Sequence, residues 1–293
     1  MRTYLDCIPC FMQQTLRAGR LATNDEDKIK QLLDETGDLI KHIPMDKTPA
    51  EVGEVIYAKV REITGIYDPY KEIKVTSIAE AKLMLPTLKG ILEKSENRLL
   101  TAIRMAIAGN IIDFGMSKEF NLTEDVYRIL GQDFARFDFE EFQDHLNKAE
   151  TILYIGDNAG ESVFDRILIE EMAKKTFYAV REVPVINDVV IEDAIESGLG
   201  DVAEIISSGS HAPGTILSTC SPEFNLLFKN SDLIISKGQG NYEGLSDEKR
   251  SVFFMLKAKC PVIARDLGVK ENDIVLKGVN IDKTKKQETY ATT

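Results

Sequence analysis

The chain has 293 residues, 43% hydrophobic and 29% charged, with a net charge of −12 and a sequence pI of about 4.9. This is a folded globular composition, and its acidity excludes broad phosphate-backbone binding, which needs a basic face. With no apolar run of about 18 residues, no long apolar core in MRTYLDCIPCFMQQ and too few cysteines (four) for a disulfide framework, it reads as a cytoplasmic protein whose partners are neither membranes nor nucleic acid.

The first half reads as helices. Apolar residues recur at three- and four-residue spacing over 10–20, 26–42, 49–63, 76–93 and 97–112. Thr48 is placed as an N-cap with Pro49 at the first helical position, and Asp68-Pro69 is a break. In the fifth helix Leu99, Leu100, Ile103, Ala106, Ile107 and Ile111 make a wide apolar stripe. A sixth helix covers 137–149. The second half changes to short apolar runs at 151–155, 176–181, 203–207, 232–236, 261–264 and 274–277. Helical stretches fall at 161–174, 190–196, 223–230 and 247–258. Such alternation predicts an α/β fold: a three-layer α/β/α sandwich about a mostly parallel sheet. The expected organisation is a helical N-terminal domain over 1–149, an α/β/α domain over 150–284 and a polar tail over 285–293.

Ligands of an open parallel sheet bind beyond the carboxyl ends of its strands. The predicted strands are followed by Gly156-Asp157-Asn158-Ala159-Gly160-Glu161, by Glu182 to Asp188, by Ser208 to Thr215 and by Lys237-Gly238-Gln239-Gly240-Asn241. Four such loops are expected to open on one rim. Carboxylate and amide oxygens suit hard divalent cations. Glycines let backbone N–H groups approach an anion, a helix start near Gly160 favours negative charge, and a lysine supplies a compact cation. Any one loop is equally explained by turn and cap chemistry. Neither the Walker pattern nor G-x-G-x-x-G is present.

These motifs, in order, resemble the metal-dependent damage-control phosphatases, once catalogued as domain-of-unknown-function family 89, in their archaeal and bacterial branch. The resemblance rests on C-I-P-C near the start, D-P-Y at 68–70, A-G-N-I-I-D at 108–113, G-D-N-A-G-E at 156–161, I-N-D at 186–188, G-S-H-A-P-G-T at 209–215 and K-G-Q-G-N-Y-E at 237–243. It implies a helical domain packed on the sandwich and hydrolysis of small phosphate monoesters with Mg²⁺, Mn²⁺, Co²⁺ or Ni²⁺. It implies Asp157, Asn158 and Asp188 as metal ligands and Lys237 on the phosphate, with Asn110 and Asp113 reaching in from the helical domain. His211 stands where the family's loop often carries aspartate, which puts an acidic role for that loop in doubt.

On this reading Asp157, Lys237 and Asn110 are the catalytic candidates. Lys237, Gly160, Gly238, Asn241, Asn110 and His211 contact phosphate or substrate, a small phosphorylated metabolite, and N–H groups near Ala159, Gly160 and Gly238 help hold it. Attack by a metal-activated water and attack by Asp157 itself both stay open. For His211 a general acid and a solvated loop residue stay open; Tyr242 is read as packing and Glu161 as at most a supporting residue. Cys7 and Cys10 share a helix face but lack two further zinc ligands, because Cys220 and Cys260 are isolated in sequence. The rival readings are an S-adenosylmethionine-dependent methyltransferase and a non-catalytic nucleotide or phosphometabolite sensor. The oligomeric state is not legible.

Overall fold

The computed structural model describes residues 1–111, 128 and 130–281, and of 110 and 111 the backbone alone. Five helices come first: α1 (Cys7–Ala22), α2 (Glu26–Ile40), α3 (Pro49–Thr64), α4 (Lys71–Glu93) and α5 (Arg98–Ile111). The α3 start is the expected one. Thr48 Oγ1 accepts from the Glu51 N–H while Glu51 returns to the Thr48 N–H, closing a capping box behind Pro49. The D-P-Y break has a structural role. Asp68 accepts from the Tyr70 N–H at 3.0 Å and pairs with the buried Lys74, which also reaches Asp193 at 2.8 Å.

Among the described residues the sheet has seven strands: β1 (Phe134–Phe137), β2 (Thr151–Ile155), β3 (Lys175–Val180), β4 (Glu204–Ser207), β5 (Leu233–Lys237), β6 (Val252–Lys257) and β7 (Ile274–Val279). Their spatial order is β1-β7-β6-β5-β2-β3-β4. The run from β6 to β4 is parallel, and β7 lies antiparallel to β6 with β1 parallel to β7. The helices between are α6 (Phe139–Lys148), α7 (Ser162–Met172), α8 (Ile191–Glu196), α9 (Pro222–Asn230), α10 (Gln239–Leu245) and α11 (Pro261–Leu267). Strand β2 is buried on both faces after its first residue, as a central parallel strand must be. One apolar cluster joins α4, α5 and α7 to one face of the sheet, and a second joins α1, α3, α10 and α11 to the other.

Two assignments from the sequence are reversed. VFFMLK, taken into a helix over 247–258, is β6; PVIA, taken as a strand, opens α11. Every residue of β6 except Lys257 is buried, so its run is apolar on both faces and carries no helical stripe. Pro261 sits at the start of α11, where its missing N–H costs nothing. The sheet also takes in β1, ahead of the expected first strand. The polar tail lies outside the described residues.

Candidate active site

Strand β2 connects to β3 on one side and has β5 on the other, so the order reverses between β2 and β5. A crevice forms at the carboxyl ends of such a pair. Asp157 and Asn158 leave β2 there, Lys237 ends β5 and Gly238 follows it. The loop after β3 is stitched to the loop after β2. Val189 N–H donates to Asp157 O at 2.8 Å, Ala159 N–H donates to Asn187 O at 2.9 Å, and Asn158 and Asp188 form an isolated antiparallel bridge. Two distant connections thus bring Asp157, Asn158 and Asp188 together. Ile186 in the second loop has φ 46°, uncommon for a β-branched side chain, so backbone strain is held two residues before Asp188.

Gly238 explains why the β5 loop can close on this group. Its φ of 77° with ψ 168° is a conformation open essentially to glycine alone. A Cβ on it would lie 1.9 Å from Asp157 Oδ2. The β5 loop also meets the loop after β4 backbone to backbone: a Cβ on Gly240 would lie 2.0 Å from Pro213 O.

Beneath the rim, four carboxylates and two cations are each less than a tenth exposed: Asp157, Glu161, Asp165 and Asp188 with Arg181 and Lys237. They leave a formal excess of two negative charges. Burial, then the Glu161 and Asp188 carboxylates, push the Asp157 carboxyl up to about 8. Burial also raises Asp188, against the pull of Arg181, and lifts Asp165 to about 6, against the pull of Lys237.

Arg181, at the end of β3, is a hub that the sequence reading missed. Its Nε donates to Asp188 Oδ2 at 2.8 Å, one terminal nitrogen to Thr215 Oγ1 at 3.1 Å and the other to Asn241 Oδ1 at 2.9 Å. Asn241 Nδ2 donates to Gly156 O and to Lys237 O. One buried guanidinium and one buried amide therefore tie all four strand-end loops into one rim. The only signal in the sequence was an arginine closing an apolar strand.

The Damage-control phosphatase ARMT1-like domain model matches residues 3–275. The chain belongs to the damage-control phosphatase family. It is 36% identical over 283 residues to damage-control phosphatase PH1575 of Pyrococcus horikoshii, covering 94% of this chain and 97% of that one. It is 32% identical over 289 residues to a damage-control phosphatase of Archaeoglobus fulgidus, covering 93% and 98% respectively. The crystal structure of the Pyrococcus protein superposes with a TM-score of 0.88 at 34% identity, over 94% of this chain and 98% of that chain.

Against the residues expected for a damage-control phosphatase, several placements differ. Lys237 has no exposed surface. Its ammonium donates to Glu161 Oε1 and Asp165 Oδ1, both at 2.5 Å, and to the Ala106 carbonyl at 2.9 Å. An ammonium has three N–H groups, so none is left for a phosphate oxygen. Asn241 is likewise buried in the Arg181 hub rather than facing a ligand. The Ala159 and Gly238 N–H groups are taken by Asn187 O and Met255 O. Gly160 lies two residues ahead of α7, and His211 is exposed on its loop. The carbonyl bound by Lys237 belongs to α5, so that helix reaches the site one turn before Asn110; the Asn110 side chain and Asp113 lie outside the described residues. Tyr242 is packed, edge-on to Phe254 with its hydroxyl on Asp266.

The oxygen donors of Asp157, Asn158 and Asp188, the glycine cradle and the buried excess of negative charge fit a hard divalent cation. Among the described residues no three His, Cys, Asp or Glu side chains are arranged to hold a metal; the set here uses two carboxylates and an amide. All four cysteines are free thiols. Cys260 is not remote as its sequence position implied. Burial raises the Cys7 and Cys10 thiols, and the nearness of Glu243 and Cys260 adds to it. A cavity of about 640 Å³ lies elsewhere, between α4 and α5, lined by Thr87, Lys94, Ser95, Thr101 and Arg104 among others.

Proposed function

We propose that the chain is a divalent-metal-dependent phosphatase acting on small phosphate monoesters, sugar phosphates or damaged phosphometabolites among them. The observation that carries this reading is the meeting of Asp157, Asn158 and Asp188 at the switch point of the sheet, in a buried group of four carboxylates and two cations. Family membership supports the reaction class, and the names of the Pyrococcus and Archaeoglobus relatives agree with it.

A bound divalent cation would supply charge neutralisation for a phosphate oxygen. The chain does the rest. Asp157 and Asp188 offer charged oxygens and Asn158 a neutral one. Arg181 fixes the Asp188 carboxylate and limits the repulsion between the two aspartates. The stitched loops and the Arg181–Asn241 hub hold the rim rigid, so the reacting groups are preorganised. The positive end of the α7 dipole, beside Gly160, favours the anionic substrate.

The test is hydrolysis of p-nitrophenyl phosphate with and without EDTA, followed by add-back of Mg²⁺, Mn²⁺, Co²⁺ or Ni²⁺, then a panel of phosphorylated metabolites. Activity is expected to vanish with chelation and return with metal. The variant Asp157→Ala is expected to be folded and inactive; full activity in it would exclude this centre.

A further inference from the structure

The orientation of Asn158 decides whether it can serve a cation, because its side chain ends in one oxygen and one nitrogen. The nitrogen, Nδ2, donates to Glu161 Oε2 at 3.2 Å and to Asp157 Oδ2 at 3.1 Å. The Glu161 carboxylate, which takes the Lys237 ammonium on its other oxygen, accepts here, so the nitrogen belongs on that side and the oxygen on the other. Glu161 is itself fixed. Its Oε1 accepts from Lys237, which is anchored in turn by Asp165 and the Ala106 carbonyl. The hydroxyls of Tyr154 and Tyr178 donate to the two oxygens of Asp165 at 2.6 and 2.9 Å. Glu161, Lys237 and Asp165 have no exposed surface.

We propose that Glu161 is the positioning residue of the cation site: held by Lys237, it grips the Asn158 amide nitrogen and so turns the Asn158 oxygen toward the metal. The buried lysine serves this geometry from behind the site, which accounts for its lack of a free donor. The inference rests on the metal-dependent reading above. Residues that orient metal ligands commonly change metal affinity by about 10- to 100-fold when replaced.

Hydrogen-bond polarity provides the test. Lys237 can only donate, so in the variant Glu161→Gln the new amide must give its oxygen to Lys237 and its nitrogen to Asn158. Two N–H groups then face each other, and Asn158 must turn its oxygen away from the ion. Affinity for Mn²⁺ alone, measured by titration calorimetry on the full chain, is expected to fall about 10- to 100-fold. Adding Asn158→Asp restores an acceptor opposite the new nitrogen at unchanged total charge. The 3.1 Å bond from the Asn158 amide nitrogen to Asp157 and the weak 3.5 Å contact from the Asn158 backbone N–H to Glu161 are lost and not recovered. The double variant is expected to return to within about threefold of wild type, a coupling that a purely structural role for Glu161 does not produce. A folded Glu161→Gln chain with wild-type affinity, or a double variant no better than the single, overturns the proposal. If the single variant does not fold, the double variant decides alone, and failure to bind Mn²⁺ overturns it. A wild-type chain that binds neither Mn²⁺ nor Mg²⁺ removes the metal centre itself, and this inference with it.

Discussion

Gly238→Ala tests the site with one methyl group. The new Cβ would lie 1.9 Å from Asp157 Oδ2 and 2.1 Å from its carboxyl carbon, whereas real Cβ contacts are essentially never under 3.0 Å. The carboxylate must therefore retreat by roughly 1 Å, a displacement that can cost about 100-fold in rate at a catalytic group. The backbone adds strain of about 1–3 kcal/mol, because an alanine rarely tolerates φ 77° with ψ 168°. For a chain of this size a loss of about 2 kcal/mol lowers Tm by about 4–8 °C. The assays are thermal denaturation, Mn²⁺ titration and metal-activated p-nitrophenyl phosphate hydrolysis. Gly37→Ala is the control: it lies inside α2 with nothing within 4 Å, and a gain of up to about 1 kcal/mol is expected from helix propensity. A Gly238→Ala chain that keeps wild-type metal affinity and turnover would refute the placement of the Asp157 carboxylate against the β5 loop.

Two further outcomes concern stability. Burial raises the half-buried Glu243 carboxyl to about 7, opposed by the hydrogen bond from Gln239. Because the folded value is raised, its stabilising contribution is complete below the unfolded value of about 4.3 and is lost as pH rises through about 7. Glu243→Gln should therefore gain up to about 3 kcal/mol at pH 8 and nothing near pH 4, read as Tm against pH; an equal shift at both pH values would contradict the sign. Lys237→Met leaves Glu161 and Asp165 buried without their cation and should cost about 3–5 kcal/mol. Loss of the exposed Lys30–Asp34 pair should cost at most about 0.5 kcal/mol by denaturant titration, and similar losses in the two variants would show that the buried network is not coupled as described.

Much of the fold was legible because its signals are local. Thr48-Pro49 announces α3 through a capping box closed within four residues, and TILYI announces a buried strand through an unbroken apolar run. The oxygen-rich composition of the strand-end loops was likewise on view, together with the rule that such loops share one edge of a parallel sheet. Where period and length conflict, the local signal failed. VFFMLK and PVIA were exchanged between strand and helix because a run apolar on both faces has no periodicity to separate the two.

The sequence by itself determined the helices with strong caps, the alternation of strand and helix, and the oxygen-bearing side chains at Asp157, Asn158 and Asp188. Only the tertiary structure decided which charge faces which. Lys237 meets Glu161 and Asp165 across more than seventy positions, and Arg181 gathers Asp188, Thr215 and Asn241 from three connections. The reason is that a buried ion must find its partner wherever packing brings one, and that requirement leaves no periodic or local trace in the chain.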